Sequence, residues 1–283
     1  MNYFLLSLNY ALMIIIPIVV AVAIRRRTGA SWRFFFIGAA TFILSQVFHI
    51  PFNWAVQQTG LLPTDLSSWA NLLIVATFLG LSAGVFEETA RYLTYRYWAK
   101  DARTWSRGMM LGAGHGGIES ILVGVLAAVG FVGLVVASNE TVLATIPEEQ
   151  RSAISAALTE IHNMPWYGLL LGAAERAFTI ATHLALSVMV LQVFLRGSLR
   201  WLFAAIAYHA AYNMIGVIGV SRVGPYATEG LLALFSLISL VIIFKLRTRE
   251  PVDAEPEPLP KPPALESLSL EPTAEALDRS KYS

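Results

Sequence analysis

From Leu5 to Ile24 the chain runs twenty residues without a charged side chain, and Leu231 to Phe244 is a second run of the same kind. Segments this long and apolar are solvated by lipid tails rather than water, and in lipid the backbone satisfies itself by forming helices. Only 14% of the residues are charged and the mean hydropathy is +0.60, whereas a soluble domain carries about 25% charge. Apolar windows at 5–24, 34–53, 70–95, 108–137, 167–194, 201–220 and 228–246 predict an all-α polytopic membrane bundle of seven transmembrane helices. Ordinary soluble enzyme folds are excluded.

The basic residues give that bundle an expected orientation. Arg25, Arg26, Arg27 and Arg33 follow the first span, Arg96, Lys100, Arg103 and Arg107 the third, Arg196 and Arg200 the fifth, and Lys245, Arg247 and Arg249 the seventh. These flanks hold thirteen basic residues against two, Arg151 and Arg222, on the opposite side. The N-terminus is therefore expected outside and the C-terminus in the cytoplasm of a multi-pass plasma-membrane protein in contact with lipid. Ala21-Val22-Ala23 resembles a signal-peptide cleavage site, but the arginines follow the apolar run rather than precede it, so the first span is read as retained and residue 1 as the mature start. The longest outer connection, about 138–166, carries Ile154, Leu158 and Ile161 at helical spacing after Pro147 and predicts an amphipathic surface helix. From Glu250 the sequence turns Pro- and Glu-rich, so residues 1–249 are expected to form the membrane domain and 250–283 a disordered cytoplasmic tail.

Some chemistries are closed to this chain. It has no cysteine, hence no disulfide, thiolate ligand, cysteine nucleophile or cysteine-linked lipid. A formal charge of +1 provides no field for nucleic acid. No span contains an aspartate or an HExxH pattern. Gly80-Leu81-Ser82-Ala83-Gly84 matches the serine-hydrolase GxSxG, but that motif needs a strand-to-helix elbow and here lies within a predicted helix.

Against this background the ionisable residues inside the spans stand out, because burying each in lipid costs several kcal/mol by most estimates. They are Glu87, Glu88 and Arg91 in the third span, His115 and Glu119 in the fourth, Glu175, Arg176 and His183 in the fifth, and His209 in the sixth. Glu87/Arg91, His115/Glu119 and His209/Asn213 are each spaced i, i+4, which puts both members on one helix face. At about 1.5 Å per residue, Glu87, His115, His183 and His209 lie roughly 10–20 Å from the arginine-rich ends of four different spans, so they can meet at one depth. Three imidazoles, His115, His183 and His209, can hold zinc beside a free carboxylate; equally, the carboxylate and histidines can activate water without metal. Gly112, Gly114, Gly116 and Gly117 around His115 allow close helix approach or irregular backbone. Glu175 sits one layer out, near His183 or as a partner for Arg176. His49, ahead of Pro51 and Asn53, is read as satisfying a kinked helix end.

Buried Glu-Arg pairs and Gly-rich helices also serve packing alone. Four spans contributing ionisable groups at one depth favour a functional site. A proton- or metal-coupled transporter, or a non-catalytic binding module with a polar core, shares these features.

The stretches Phe86-Glu87-Glu88-Thr89-Ala90-Arg91, Gly112 to Glu119, Glu175 to His183 and His209-Ala210-Ala211-Tyr212-Asn213 resemble the YhfC-type intramembrane peptidases over about residues 40–220. More distantly they resemble CaaX prenyl endopeptidases, bacteriocin-processing membrane proteases and PrsW-type proteases. The resemblance implies hydrolysis of a peptide bond in a membrane-associated protein or peptide. It implies Glu87 as the base that activates water, with Glu88 as its neighbour and Arg91 as their anchor. His115 and His209 would bind or polarise carbonyl and water, Asn213 would support the oxyanion, and His183 would be the further histidine of the closer pattern. The PrsW-type motif adds Glu119, and the wider group's naming implies a metal. Two residues rather than three separate the glutamate pair from Arg91, and Leu111 stands where the CaaX pattern has Phe, so prenyl-protein processing is not implied.

Overall fold

The computed structural model describes residues 3–248; the expected acidic tail lies outside them. The described residues form nine α-helices, in chain order α1 Tyr3–Thr28, α2 Trp32–Gln58, α3 Trp69–Leu93, α4 Trp105–Ala137, α5 Glu140–Leu143, α6 Glu148–Asn163, α7 Leu171–Arg196, α8 Arg200–Arg222 and α9 Pro225–Lys245. A π-helical turn, Thr94–Trp98, extends α3, and a 3₁₀ turn, Gly168–Leu170, leads into α7. Seven of these helices are long and apolar enough to cross a membrane, and no strand occurs among the described residues. This is a multi-pass, all-α membrane protein. The short helix α6 starts behind Pro147 with Glu148 and Glu149 in its first turn and buries none of its residues.

Local sequence sets the helix limits. Ser31, Ser68 and Thr104 precede α2, α3 and α4, and each side-chain oxygen accepts a hydrogen bond from a first-turn N–H that has no helical partner. At the other end of α7, Gly197 takes φ +65°, the left-handed conformation that ends a helix cheaply only at glycine.

The most enclosed helix is α7, which packs against α1, α3, α4, α8 and α9 and buries nearly every residue from Thr182 to Val193. It forms the axis of the bundle. The closest approach is between α2 and α4: a Cβ added at Gly38 would lie 2.0 Å from the Leu111 carbonyl oxygen, and one at Gly114 would lie 1.9 Å from that of Phe35. Glycine at both positions lets the two backbones touch, which brings His115 into the interior. The helix α4 runs unbroken through Gly112, Gly114, Gly116 and Gly117, each in close contact with a neighbouring helix, so these four serve close packing rather than irregular backbone.

The helix ends rich in arginine gather on one face. There Arg33 pairs with Asp101 across the first and second inter-span connections of that face, at 2.6 Å and with both side chains half exposed. The hydrogen bond from Arg33 holds the Asp101 carboxyl below its ordinary pKa.

Candidate active site

Three glycine contacts bring the ionisable residues together. On α3, a Cβ at Gly80 would lie 2.6 Å from the Ala210 carbonyl oxygen and one at Gly84 2.7 Å from that of Ile206, so α8 lies directly on this face. The glycines of the GxSxG pattern are thus helix-packing residues, and Ser82 between them bonds the Leu79 carbonyl and the His49 ring. On α4, a Cβ at Gly116 would meet the His183 side chain at 2.8 Å. The imidazoles of His115 and His183 end with centroids 5.0 Å apart, and those of His183 and His209 5.5 Å apart.

The two adjacent glutamates have different surroundings. Glu88 is fully buried; one oxygen accepts from Arg91 and the other faces His209 Nδ1 at 2.8 Å. Because that carboxylate only accepts, His209 Nδ1 carries the proton, and in the neutral imidazole Nε2 keeps its lone pair. Glu87 lines an internal cavity. Its Oε1 accepts from Gln46 Nε2 at 3.1 Å, and its Oε2 lies 3.0 Å from His115 Nε2 and 4.0 Å from His209 Nε2. The i, i+4 spacing suggests Arg91 as the partner of Glu87, but the guanidinium bonds Glu88 at i+3. Glu87 has no guanidinium partner.

A second arm of the cluster runs through α7 and α4. Arg91 Nη2 donates to His183 Nδ1 at 3.2 Å, and His183 Nε2 faces Glu119 Oε2 at 2.6 Å. The other oxygen of Glu119 accepts from Arg176 at 2.9 Å, and Arg176 also bonds Glu175. A continuous hydrogen-bonded chain therefore runs Glu175, Arg176, Glu119, His183, Arg91, Glu88, His209. Asn213, one turn beyond His209, lines the cavity, as does Glu175.

All the residues singled out from sequence thus converge on one cavity or the network against its wall. Further members come from α2. The helix continues through Pro51 to Gln58, so His49 caps no helix end. It contacts Gln46 Oε1 through Nδ1 at 3.2 Å, and Asn53 and Ser82 through Nε2 at 2.9 and 3.1 Å. The sequence signal was a polar stripe, Gln46, His49 and Asn53 at i, i+3 and i+7, on one face of an apolar span.

The donor set suits a divalent cation. Ligand atoms of Glu87, His115 and His183 lie within 4.8 Å of one another, all three residues buried. His115 Nδ1 is buried without a hydrogen-bond partner, and the four carboxylates of the cluster outnumber its two guanidiniums, which pair with Glu88, Glu119 and Glu175 only. This group has Glu87 where the triad expected from sequence has His209. Hydrogen bonding separates the two histidines: His183 has both ring nitrogens engaged, while His209 has Nε2 free and Nδ1 held by a carboxylate, the usual support of a ligating histidine.

Comparison with known proteins agrees with the geometry. Residues 12–242 match the family described as YhfC intramembrane metalloprotease. The chain is 30% identical over 247 residues to the "Uncharacterized membrane protein YhfC" of Bacillus subtilis (strain 168), covering 86% of this chain and 95% of that protein. No solved structure matches. A match over this much of its length makes the chain a member of the YhfC intramembrane metalloprotease family.

Proposed function

We propose that this protein is an intramembrane peptidase that hydrolyses a peptide bond in or beside the bilayer, with Glu87 as the group that activates water. The observation that carries the reading is the division of labour between the paired glutamates. Glu88 has both oxygens committed to Arg91 and His209, whereas Glu87 lines the cavity with no guanidinium partner. A carboxylate held by neutral donors in a low-dielectric site is well placed to accept a proton.

The steps follow from atoms on the cavity wall. Glu87 Oε2 takes a proton from water as the water oxygen adds to the substrate carbonyl carbon. The same oxygen then returns the proton to the amide nitrogen as the C–N bond breaks, giving a carboxylic acid and an amine. Gln46 keeps Oε1 occupied, so that Oε2 is the oxygen presented to the cavity. Asn213 can donate from its amide to the carbonyl oxygen as negative charge develops there. Glu88, fixed by Arg91, orients His209 with Nε2 toward Glu87. A divalent metal, zinc by preference, would be held by His115 with Glu87, His183 or His209, and when bound it supplies Lewis acidity.

The test is cleavage of a membrane-peptide library by the protein reconstituted in lipid vesicles, read by mass spectrometry. The wild type is expected to generate new peptide termini and a Glu87→Ala, Glu88→Ala double variant none. Undiminished cleavage by the folded double variant refutes the mechanism. Ion flux across the vesicles that disappears with His209→Ala, in the absence of any cleavage, points to a transporter.

A further inference from the structure

The cavity that reaches Glu87 does not stop at the cluster. Along α8 it is lined at successive turns by His209, Asn213, Val217 and Ser221, and Ser221 is one residue from the helix end at Arg222. Asn53, in the last turns of α2, and Glu175, in the first turns of α7, line it as well. These helix ends all lie on the face opposite the arginine-rich flanks. The cavity is therefore a shaft from the Glu/His cluster to that face.

Its dimensions limit what can enter. The thirteen residues from His209 to Ser221, twelve rises of about 1.5 Å, span ~18 Å of helix. A volume of about 590 Å³ open to the centres of water-sized molecules, spread over ~18 Å, has a mean cross-section of about 33 Å², so those centres move in a passage about 6.5 Å wide and the walls stand about 9 Å apart once a radius of about 1.4 Å is added on each side. An α-helix with side chains is about 10–12 Å across in every direction, whereas an extended strand takes up about 4.8 Å in its hydrogen-bonding direction and about 10 Å through its side chains, a smaller section that such a passage admits. The upper shaft mixes apolar Val217, Val220 and Leu79 with the side-chain amides of Asn53 and Asn213.

We infer that the substrate is a peptide segment presented on the non-cytoplasmic side of the membrane, which enters this shaft as a single extended strand. The arginine-rich flanks mark the cytoplasmic face, so the shaft opens away from it, and a segment that is helical in the bilayer must unwind to reach Glu87. That the occupant is a peptide rests on the peptidase reading; the side and the width of entry do not.

The chain has no native cysteine, so introduced single cysteines report without background. In intact cells producing the protein, a small membrane-impermeant thiol reagent is expected to label Ser221→Cys, Val217→Cys and Ala83→Cys, the last one turn from Glu87. Arg27→Cys is expected to react only after permeabilisation. Gly216→Trp, which plugs the shaft, is expected to abolish labelling of Ala83→Cys but not of Ser221→Cys. The same reactive group fixed directly to the end of a stapled helical peptide is expected to reach Ser221→Cys alone. Labelling of Val217→Cys and Ala83→Cys only after permeabilisation, or not at all while Ser221→Cys reacts, overturns the entry route. Labelling of Ala83→Cys by the helical probe overturns extended entry. Each variant is first checked for monodispersity in detergent. Full accessibility without peptide cleavage leaves the shaft standing and overturns the peptide occupant.

Discussion

At the scale of single residues, the site depends on adjacent glutamates with unlike partners. Glu88 acts through His209: by holding Nδ1–H it fixes which imidazole nitrogen faces Glu87. If the cluster holds zinc, Glu88→Gln is expected to weaken its affinity about 10- to 100-fold, the usual effect of losing such a support. His115→Ala is expected to remove the metal altogether. The contrast between His209→Ala and His183→Ala separates the two ligand sets, and the hydrogen bonding predicts the greater metal loss for His209→Ala. Metal content of each purified, folded variant by mass spectrometry checks all four. The sequence made the members of this cluster legible because charge in an apolar span is conspicuous. It could not show which glutamate faces the cavity, since neighbouring helical residues differ by about 100°. Arg91 shows the same limit: both i+3 and i+4 are within reach, and only the packing of α7 and α8 against α3 decides that Glu88 takes the guanidinium.

At the scale of helices, close approach does the positioning. Gly114→Val puts a side chain where a Cβ alone would lie 1.9 Å from the Phe35 carbonyl oxygen, so α2 and α4 must separate and carry Gln46 and His115 apart. Thermal denaturation in detergent is expected to show a loss of several kcal/mol, above the 1–3 kcal/mol typical of overpacking because the clash is with backbone. Gly130→Ala, on the same helix but with nothing within 4 Å of its Cβ position, is expected to be neutral or to stabilise by up to about 1 kcal/mol. On the arginine-rich face, Arg33 holds the Asp101 carboxyl below its ordinary pKa. A depressed carboxyl stabilises above its unfolded pKa of about 3.9 and loses that contribution as pH falls through the folded value. Both groups are half exposed, so Arg33→Ala is expected to cost under about 1 kcal/mol at pH 7 and nothing once Asp101 is protonated, read by denaturation at the two pH values. Hydropathy gave the seven spans to within a few residues, because length and apolarity are what the bilayer selects. The polar stripe of α2 was harder to read. Pro51 suggested a helix end near His49, yet the helix runs on, and His49 becomes part of the cavity wall.

For the molecule as a whole, the bundle is a scaffold that holds a buried Glu/His cluster at depth, with a cavity along α8 beside it. The enclosed helix α7 carries His183 and Arg176, and around it α3, α4 and α8 bring their groups to the same level. The sidedness of that architecture rests on thirteen basic residues against two, a signal carried entirely by sequence. The shaft, by contrast, was invisible there, because it is made by what the helices leave unfilled. The claim on which everything else depends is that Glu87 activates water for attack on a peptide bond. Reconstituted protein incubated with membrane peptides in ¹⁸O-labelled water tests it directly. The account predicts new carboxyl termini carrying one ¹⁸O atom from the wild-type protein, with Glu87→Gln slower by about 10²- to 10⁴-fold, the usual contribution of a general base. Equal rates of ¹⁸O incorporation by the folded Glu87→Gln variant would contradict it.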